Sequence, residues 1–569
     1  MNIQQEFERW SLLANQDPDV QQELKNLSYP DDQEAIEDRF FQNLEFGTGG
    51  LRGVIGAGTN RMNIYTIRKA TQGLANYILA EKFENPSVAI AYDSRIKSDV
   101  FAKEAAKVLA ANGIKVYIYQ QLMPTPSLSY AVRAQNCCAG ICVTASHNPA
   151  KYNGYKVYGC DGCQITLEAA EKILSCIQKV DPFDDVQMIS FEDGLAQNTI
   201  QWTPESVIDS FIDAVAACRL TDTPCDNLKL VYTPLNGSGL MCVKRILDRI
   251  GVTDITVVPE QEHPDGNFPT CPYPNPEIKE ALQKGLELCK TIQPDLLLAT
   301  DPDCDRVGIA VHHEGDYQLL SGNEVGVLLL DFIAKLRTNL HTMPQNPVAV
   351  KTIVTTEMAQ RVADHYGIQL RNVLTGFKFI GEQIGLLEKD GEADRYIFGF
   401  EESYGYLSGG YVRDKDAVNA SMLICEMASY YKQQGLNLVQ VLNELYQTYG
   451  CYVNHLDTLT YEGVSGTKQM NDIMTRLRTN HPTSIGGLNV VGVMDYLSSQ
   501  GWLLDEKKTT DLPVSNILEF YLQDNCKVII RPSGTEPKIK LYFSAQAPTM
   551  EQANEIVQKL SKDCATLLN

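Results

Sequence analysis

Residues 88–119, VAIAYDSRIKSDVFAKEAAKVLAANGIKVYIY, contain two short apolar runs separated by a helical pattern. Val88–Tyr92 predicts a strand, Val100–Asn112 predicts a helix, and Lys115–Tyr119 predicts the next strand. Strands that alternate with helices indicate a parallel or mixed α/β sheet. Ligand sites in such sheets lie in the loops that follow the carboxyl ends of the strands. Functional residues are therefore expected at those strand ends.

The same pattern of strand, loop and helix recurs along the chain. Leu228–Tyr232 and Val348–Val354 are further apolar runs, each followed by a helical pattern. The last part differs, because residues 515–546 contain three strand patterns in succession, and Thr549 is the predicted N-cap of a final helix. We predict three similar mixed α/β domains and a C-terminal α+β domain. The predicted boundaries are 1–204, 205–321, 322–447 and 448–569.

Composition limits the classes of function. The chain has 569 residues, enough for about three to five domains. Lys and Arg total 49 against 71 Asp and Glu, a net charge of -22, which argues against nucleic acid or an anionic membrane as a partner. The 16 cysteines in so large a chain are expected to be reduced thiols. Neither a signal peptide nor an uncharged run of about 18 apolar residues is found, so we expect a cytoplasmic protein.

A candidate nucleophile lies in the hexapeptide Thr144–Pro149 (TASHNP), which follows the apolar run Ala139–Val143. Ser146, in a turn at the end of a strand, is well placed to attack a substrate. His147 can donate to a phosphate oxygen or help to transfer a proton, and Lys156 lies close behind in the sequence. An ordinary capped turn would explain the same hexapeptide.

A candidate metal site follows the apolar run Leu296–Ala299. Asp301, Asp303 and Asp305 are spaced by two residues, so their carboxylates can converge on a hard cation such as Mg²⁺. An EF-hand is excluded because Arg306 stands where that loop requires glycine. A solvated acidic loop is the alternative, although gathering three carboxylates without a cation is costly.

Two further loops carry groups that suit a sugar phosphate. Gly399–Gly405 (GFEESYG) offers Glu401 and Ser403 for paired hydrogen bonds to sugar hydroxyls, with a surface hairpin as the alternative. Thr375–Gly381 (TGFKFIG) places Lys378 between apolar residues. That lysine is either an anion contact or a side chain whose stem covers apolar surface.

The remaining motifs suit phosphate. In Arg531–Pro537 (RPSGTEP), the arginine offers a fork of donors, and Ser533, Gly534 and Thr535 could complete a cradle. A plain turn is the alternative. Gly47–Gly53 (GTGGLRG), which contains an arginine, is a second candidate phosphate loop, although glycine-rich loops alone are weak signals.

Together and in this order, the motifs resemble the α-D-phosphohexomutase superfamily. The resemblance extends from Gly47 to Pro537. It implies four domains around a central cleft, which contribute phosphoserine, metal, sugar-binding and phosphate-binding loops. It also implies an intramolecular phosphotransferase, an isomerase, that interconverts α-D-glucose 1-phosphate and glucose 6-phosphate. The implied route passes through a phosphoserine enzyme and glucose 1,6-bisphosphate, with sugar phosphates as the only implied partners.

The resemblance assigns roles to the matched residues. Ser146 matches the serine that carries the phosphoryl group, and its phosphate is a further ligand of Mg²⁺. The implied catalytic residues are Ser146, Lys156, Arg52 and Arg306, to which the hexapeptide itself adds His147. The implied metal ligands are Asp301, Asp303, Asp305 and Ser146. The implied substrate-binding residues are Glu401, Ser403, Arg531, Ser533 and Thr535, to which the loops themselves add Lys378 and Gly534.

The substrate is less closely defined than the family. The loop from Glu401 to Gly405 resembles the glucose type, because the mannose/glucose branch has Met and His where this chain has Glu402 and Tyr406. The Gly47–Gly53 loop resembles the branch shared by bacterial phosphoglucomutases and phosphopentomutases. Phosphopentomutase and phosphomannomutase activities therefore stay open. An Asp-nucleophile sugar phosphatase and a non-catalytic sugar-phosphate sensor are the alternatives outside the mutases, and the oligomeric state is not predicted.

Overall fold

The computed structural model describes residues 2–47, 49–461, 463–533 and 538–568. Its strands are β1 (Gly50–Val54), β2 (Ser87–Tyr92), β3 (Lys115–Ile118), β4 (Ala139–Val143), β5 (Tyr152–Gly159), β6 (Ile200–Trp202), β7 (Lys229–Thr233), β8 (Asp254–Val257), β9 (Leu296–Thr300), β10 (Val307–His313), β11 (Asp316–Leu320), β12 (Val348–Thr352), β13 (Gln369–Val373), β14 (Tyr396–Glu401), β15 (Gly405–Leu407), β16 (Cys451–Thr460), β17 (Ser484–Ile485), β18 (Leu488–Asp495), β19 (Gln500–Leu503), β20 (Glu506–Thr509), β21 (Leu518–Leu522), β22 (Lys527–Pro532) and β23 (Lys538–Ala547).

Its α-helices are α1 (Ile3–Leu13), α2 (Pro18–Lys25), α3 (Gln33–Phe40), α4 (Ile64–Ala80), α5 (Ser98–Ala111), α6 (Thr125–Ala134), α7 (Leu167–Ile177), α8 (Phe191–Ala196), α9 (Glu205–Ala216), α10 (Leu240–Arg249), α11 (Pro259–Glu262), α12 (Gln283–Ile292), α13 (Gly322–Asn339), α14 (Met358–Tyr366), α15 (Phe377–Lys389), α16 (Ala417–Lys432), α17 (Leu438–Tyr449), α18 (Gly463–Thr479) and α19 (Met550–Leu567).

The chain folds as two compact units, and it passes between them more than once. Unit 1 comprises Met1–Ser321, Ile380–Tyr396 and Ser403–Asn437. Unit 2 comprises Gly322–Phe379, Ile397–Glu402 and Leu438–Asn569.

Unit 1 contains two mixed sheets. The first has the order β1-β5-β4-β2-β3-β6, with β2 parallel to β3 and β4 and with β5 antiparallel to β1 and β4. The second has the order β11-β10-β9-β7-β8, with β7 parallel to β8 and β9. All residues of β2, β4 and β9 are buried, as expected for strands covered on both faces.

The strand order of unit 1 gathers polar loops at strand ends. Because β2 and β4 are parallel neighbours, Asp93 and Thr144, the residues that follow them, leave the sheet at the same edge. β9 ends at Thr300, and the chain continues directly into Asp301. Gly154 on β5 permits a close approach, because a Cβ atom there would lie 2.4 Å from the carbonyl oxygen of Thr144.

Unit 2 contains the strands β13, β12 and β14 in that order, and a larger antiparallel sheet with the order β16-β23-β22-β21-β18-β19-β20. Alternate residues of β22 face opposite sides. Val528 and Ile530 pack in a core with residues of α18 and α19. Ile529 packs on the other face, with Ile353 and Leu374. The second face of the C-terminal sheet is therefore covered by residues that follow β12 and β13.

Three segments predicted as loops are partly regular elements. Arg52 lies within β1, which pairs with β5, rather than in an open glycine-rich loop. Lys378 lies in the first turn of α15, and Glu401 is the last residue of β14. By contrast, the cap of the final helix is confirmed, because Thr549 Oγ1 accepts the N–H of Gln552 at 3.2 Å.

Candidate active site

Ser146 lies in the loop that follows β4, and it is buried. Its φ of 52° is in the left-handed region, which is uncommon for a residue with a side chain. Its N–H donates to Thr144 Oγ1 at 2.8 Å, and the Thr144 hydroxyl donates to Asp93 Oδ2 at 2.6 Å. These bonds hold an otherwise unfavourable backbone conformation, which fixes the direction of the serine hydroxyl.

Arg95, absent from the residues predicted from the sequence, holds the same loop from a second side. Its buried guanidinium donates to four backbone carbonyls between Ser146 and Tyr152. It also pairs with Asp93, with 3.4 Å between Arg95 Nε and Asp93 Oδ2. Burial raises the pKa of Asp93 and lowers that of Arg95. The available sequence signal is a charged pair directly after a buried strand.

The carboxylates of Asp301, Asp303 and Asp305 form a buried cluster. One oxygen atom of each lies within 4.8 Å of the others. Ser146 Oγ donates to Asp301 Oδ2 at 2.9 Å, so the candidate nucleophile touches the cluster directly. Asp301 Oδ1 accepts the backbone N–H groups of Asp305 and Arg306 at 3.0 and 2.9 Å. The loop thus closes around its first carboxylate.

Oxygen atoms of this cluster fit a hard cation. Asp303 Oδ1 and Asp305 Oδ1 are buried and have no hydrogen-bond partner within the part of the chain that the structure describes. Such atoms are costly to bury unless something binds them. Burial and the charges of Asp303 and Asp305 raise the pKa of Asp301. A bound cation would offset this repulsion between the carboxylates. An all-carboxylate donor set favours Mg²⁺ over softer metals.

Two lysines reach the same carboxylates. Lys156 on β5 donates to Asp303 Oδ2 at 2.9 Å and lies 3.5 Å from Asp305 Oδ2. Lys415 Nζ, which was not among the predicted residues, lies 2.8 Å from Asp305 Oδ2. Burial opposes the charge of Lys156, but the carboxylates of Asp303 and Asp305 outweigh it and raise its pKa. Lys156 is therefore protonated at neutral pH.

His147 and two arginines complete this group in unit 1. His147 Nδ1 lies 3.1 Å from Ser146 Oγ. Burial, followed by the positive charges of Arg306 and Arg52, keeps the pKa of His147 well below its usual range, so the imidazole is neutral. Arg306 also pairs with Glu277. The residues predicted for the phosphoserine and metal loops are thus neighbours.

Ser403 also belongs to unit 1 and is half-buried. The next residue, Tyr404, accepts the N–H of Val307 through its carbonyl oxygen at 3.1 Å. Ser403, the predicted sugar-binding serine, therefore directly precedes a residue that contacts β10, the strand after the three-aspartate loop.

Unit 2, described by itself, holds the other predicted substrate-binding residues. Glu401 is buried at the end of β14. The next side chain, Glu402, accepts hydrogen bonds at Oε2 from the hydroxyls of Thr352 and Thr355, at 3.1 and 3.3 Å. These two threonines, in the segment at the end of β12, fix one of the two adjacent carboxylates.

Arg531 lies at the end of β22, close to Tyr542 on the paired strand β23. Burial raises the pKa of Tyr542 to about 12; the carboxylate of Glu402 adds to this effect and Arg531 opposes it. Glu401 also contributes to the electrostatic field at this phenol. Within unit 2, the charges of the predicted phosphate-binding arginine and of the predicted sugar-binding glutamate therefore both act on one tyrosine.

Two further predicted residues have contacts with residues close to them in the chain. Lys378 Nζ lies 5.2 Å from the centre of the Phe379 ring. Ser533 donates its N–H to the carbonyl oxygen of Lys538 at 2.7 Å. Gly534 and Thr535 lie outside the described residues, as does Thr48 of the glycine-rich segment.

Four family models match the chain in succession. They are described as phosphoglucomutase/phosphomannomutase alpha/beta/alpha domains I, II and III, at residues 43–183, 209–315 and 321–449, and the C-terminal domain, at residues 493–562. The chain belongs to the phosphoglucomutase/phosphomannomutase family. The resemblance drawn from the motifs, and the fold class of three α/β domains and a C-terminal domain, are confirmed.

Named relatives support the same conclusion. Phosphoglucomutases of two Staphylococcus aureus strains are 39% identical, one over 561 residues (96% of this chain, 98% of the relative) and one over 537 (93% and 94%). Parafusin, a phosphoglucomutase from Paramecium, superposes in its open form with a TM-score of 0.67 at 18% identity, over 93% of this chain and 95% of that chain. A Burkholderia thailandensis family protein gives 0.67 at 18% identity, over 92% and 97%. At these identities the structural likeness shows the fold alone.

The family membership makes this chain a mutase, an isomerase of carbohydrate metabolism. The exact domain boundaries and the role of each site residue stay predictions. No helix among the described residues is both long and apolar enough to cross a membrane. The cytoplasmic location also stays a prediction.

Proposed function

We propose that this mutase interconverts α-D-glucose 1-phosphate and glucose 6-phosphate through phosphorylated Ser146 and glucose 1,6-bisphosphate. The observation that carries the proposal is the 2.9 Å contact between Ser146 Oγ and Asp301 in the buried carboxylate cluster. A serine hydroxyl beside a site for a hard cation is suited to accept and return a phosphoryl group. The phosphoglucomutase relatives and the glucose-type loop after Phe400 favour glucose as the sugar.

Asp301, Asp303 and Asp305 would hold Mg²⁺ together with the phosphate on Ser146, and the ion would withdraw charge from the phosphoryl oxygens. The neutral imidazole of His147 can hydrogen-bond at Ser146 Oγ. Arg52 and Arg306 add positive charge where the transferred group is most negative.

In the first half-reaction, the C6 hydroxyl of glucose 1-phosphate attacks the phosphorus. The bond between phosphorus and Ser146 Oγ breaks as the new bond to the sugar oxygen forms. Protonated Lys156 supplies a proton to the departing Oγ and recovers one from the sugar hydroxyl. The bisphosphate then reverses its orientation in the site. Its C1 phosphoryl group returns to Ser146 by the reverse step, and glucose 6-phosphate leaves.

The substrate must be held in both orientations. Arg531 and Ser533, with Gly534 and Thr535, are proposed to bind the phosphate that is not reacting. Glu401 and Ser403 are proposed to bind sugar hydroxyls, and Lys378 to contact the phosphate or the sugar. The charges of Arg531, Glu401 and Glu402 all act on Tyr542, which supports a shared site for sugar and phosphate.

The test is a coupled assay with glucose 1-phosphate, mannose 1-phosphate and ribose 1-phosphate, each with Mg²⁺ and catalytic sugar bisphosphate. We expect kcat/KM for glucose 1-phosphate to exceed the other two by at least about tenfold, because unpaired polar groups in a site penalise the wrong sugar. A preference for ribose 1-phosphate would make the enzyme a phosphopentomutase. Release of inorganic phosphate through an acid-labile phosphoenzyme would instead support the Asp-nucleophile phosphatase.

A further inference from the structure

An ionic cluster in unit 2, with four buried and two half-buried members, takes no part in the proposed chemistry. It comprises two lysines and two glutamates, with two tyrosines around them, and is formally neutral. Its members are Lys351, Glu357, Tyr496, Glu519, Tyr521 and Lys527. We call this set the interdomain cluster, because Lys351 and Glu357 belong to the third family domain whereas the other four lie in or next to the C-terminal one.

Glu357 is the bridge of the interdomain cluster. Its Oε1 accepts from Lys351 Nζ at 3.1 Å and from Lys527 Nζ at 2.5 Å. Lys527 Nζ also donates to Glu519 Oε1 at 3.2 Å and to the carbonyl oxygen of Ile353 at 2.8 Å. Lys351 and Lys527 are both buried, so each depends on these partners. Burial opposes ionisation of Glu357, but the two lysines outweigh it and lower its pKa.

The C-terminal side of the cluster shares a strand with Arg531. Lys527, Ile529 and Arg531 alternate along β22, so their side chains lie on one face of the sheet. Ile529 packs against Ile353 on that face. Lys527 and Arg531 are four residues apart, about 13 Å along an extended strand. The ionic contact therefore fixes the same rigid strand that carries the proposed phosphate-binding arginine.

The other side of the cluster leads to the proposed sugar-binding loop. Lys351 precedes Thr352 and donates to the carbonyl oxygen of Thr355 at 3.2 Å. Thr352 and Thr355 both donate to Glu402, the neighbour of Glu401. One segment, residues 351–357, thus carries both the contact to Glu402 and the contact to β22.

We propose that Glu357 is a positioning residue, which joins this segment to Lys527 and so holds Arg531 at the correct distance from Glu401 and Glu402. The inference rests on the proposed function, in which these residues bind opposite parts of one sugar phosphate. Glu357 does not contact the substrate in this scheme. Its loss should misplace the phosphate-binding arginine and weaken ground-state binding, with a smaller effect on the phosphoryl transfer itself.

The experiment compares Glu357→Gln with a matched control, Glu104→Gln. Glu104 in unit 1 also lies between two cations, because it accepts from Arg68 Nε at 2.5 Å and from Lys107 Nζ at 2.6 Å; it is buried, whereas Glu357 is half-buried. Both variants should lower thermal stability, since each leaves buried positive charge without its negatively charged partner. Only Glu357→Gln should raise KM for glucose 1-phosphate, by about tenfold or more, with kcat reduced less than about threefold.

A second variant separates positioning from stability. Lys351→Met/Glu357→Gln restores charge neutrality, so thermal stability should recover, but the ion pair with Lys527 stays missing and KM should stay high. Combining Glu357→Gln with Arg531→Ala tests whether the two residues act on the same step of substrate binding. Because Glu357 acts through Arg531, Glu357→Gln/Arg531→Ala should have a KM within about threefold of Arg531→Ala alone, whereas Glu104→Gln should leave the full effect of Arg531→Ala intact.

The same comparison is made by calorimetric binding of glucose 6-phosphate in a Ser146→Ala background, which requires no turnover. If wild type and Glu104→Gln show no mutase activity, the proposed function fails, but the dissociation constants still test the positioning role. The inference is overturned if Glu357→Gln destabilises the protein while KM and the dissociation constant stay within about twofold of wild type. It is equally overturned if KM recovers with stability in the neutral double variant, or if the effects of Glu357→Gln and Arg531→Ala multiply.

Discussion

Single residues show how the fold prepares the candidate nucleophile. Ser146 has a left-handed backbone conformation, which Thr144 and Arg95 stabilise through hydrogen bonds to its N–H and carbonyl groups. The hydroxyl itself takes no part in holding the loop, since its contacts are to His147 and Asp301. The loop should therefore keep its shape when this hydroxyl is removed.

Ser146→Ala tests the assignment of the nucleophile. We expect mutase activity to fall by at least ~10³-fold, the scale for loss of a covalent nucleophile, with the circular dichroism spectrum unchanged. Intact-protein mass spectrometry should also lose an acid-stable increment of about 80 Da, the mass of one phosphoryl group. Ser94→Ala is the control, because Ser94 Oγ is buried nearby without a hydrogen-bond partner in the described chain. Ordinary turnover by Ser146→Ala would contradict the assignment.

The sequence identifies candidate site residues that directly follow a buried strand. It does not identify residues that reach the site from distant parts of the chain. Ser146 and Asp301 each stand within a few residues of a fully buried strand, so short patterns mark them. Lys415 reaches Asp305 from a segment more than a hundred residues away. Arg95 binds backbone carbonyls, which have no sequence signature. Such partners depend on strand order, which local patterns do not encode.

At the scale of elements, strongly apolar strands were predicted well and polar or glycine-containing ones poorly. β2 and β9 are apolar runs between polar turns, and their positions follow from that pattern. β1 contains two glycines and an arginine, and it forms because β5 supplies the hydrogen-bond partner. β16 carries polar residues such as Asn454 and Asp457, and it is stabilised by ten paired positions on β23.

The helix α16 offers a pH test of one element. Its N-cap, Asp416, accepts the N–H groups of Val418 and Asn419 at 2.8 and 3.1 Å and the hydroxyl of Tyr411 at 2.6 Å. Burial raises the pKa of Asp416 from 3.8 to about 6. The folded state therefore holds this proton more tightly than the unfolded state, so the stability contribution of Asp416 decreases as pH rises from about 4 to about 6.

Asp416→Asn keeps a capping oxygen but cannot titrate. The free energy of unfolding of wild type, relative to that of Asp416→Asn, should therefore be larger at pH 4 than at pH 7, by up to about 3 kcal/mol. Urea unfolding of both proteins at the two pH values measures the difference. An equal difference between the two proteins at pH 4 and pH 7 would show that Asp416 does not titrate in this window.

At the scale of the whole molecule, the sequence predicted the class of fold but not how the chain divides. The chain enters unit 2 at Gly322, leaves it after Phe379, returns for Ile397–Glu402 and returns again at Leu438. β14 lies at one of these crossings, so Glu401 and Ser403 belong to different units although they are two residues apart. Periodicity identifies strands and helices one at a time, whereas this division depends on long-range packing that no local pattern contains.

Net charge connects the whole molecule to the proposed metal. A charge of -22 attracts divalent cations over the surface in general, but only a site with converging ligands binds them specifically. Asp301, Asp303 and Asp305 are the candidate for such a site, because they are buried and include two oxygen atoms without hydrogen-bond partners among the described residues. Exhaustive treatment with EDTA should abolish mutase activity, and Mg²⁺ should restore it, whereas Zn²⁺ should support little turnover because it prefers fewer and softer ligands.

Specific binding should also appear without turnover. Mg²⁺ at about 100 times its dissociation constant should stabilise the folded enzyme by about 2.7 kcal/mol, seen as a rise in the thermal midpoint. Asp303→Asn should lose this rise, whereas a surface control, Asp316→Asn, should keep it, since Asp316 is an exposed residue of β11 and equally subject to the general field. Raising the salt concentration should weaken the general attraction in both proteins alike. Full activity after complete chelation, or an equal Mg²⁺ response in Asp303→Asn, would contradict a metal site in this carboxylate cluster.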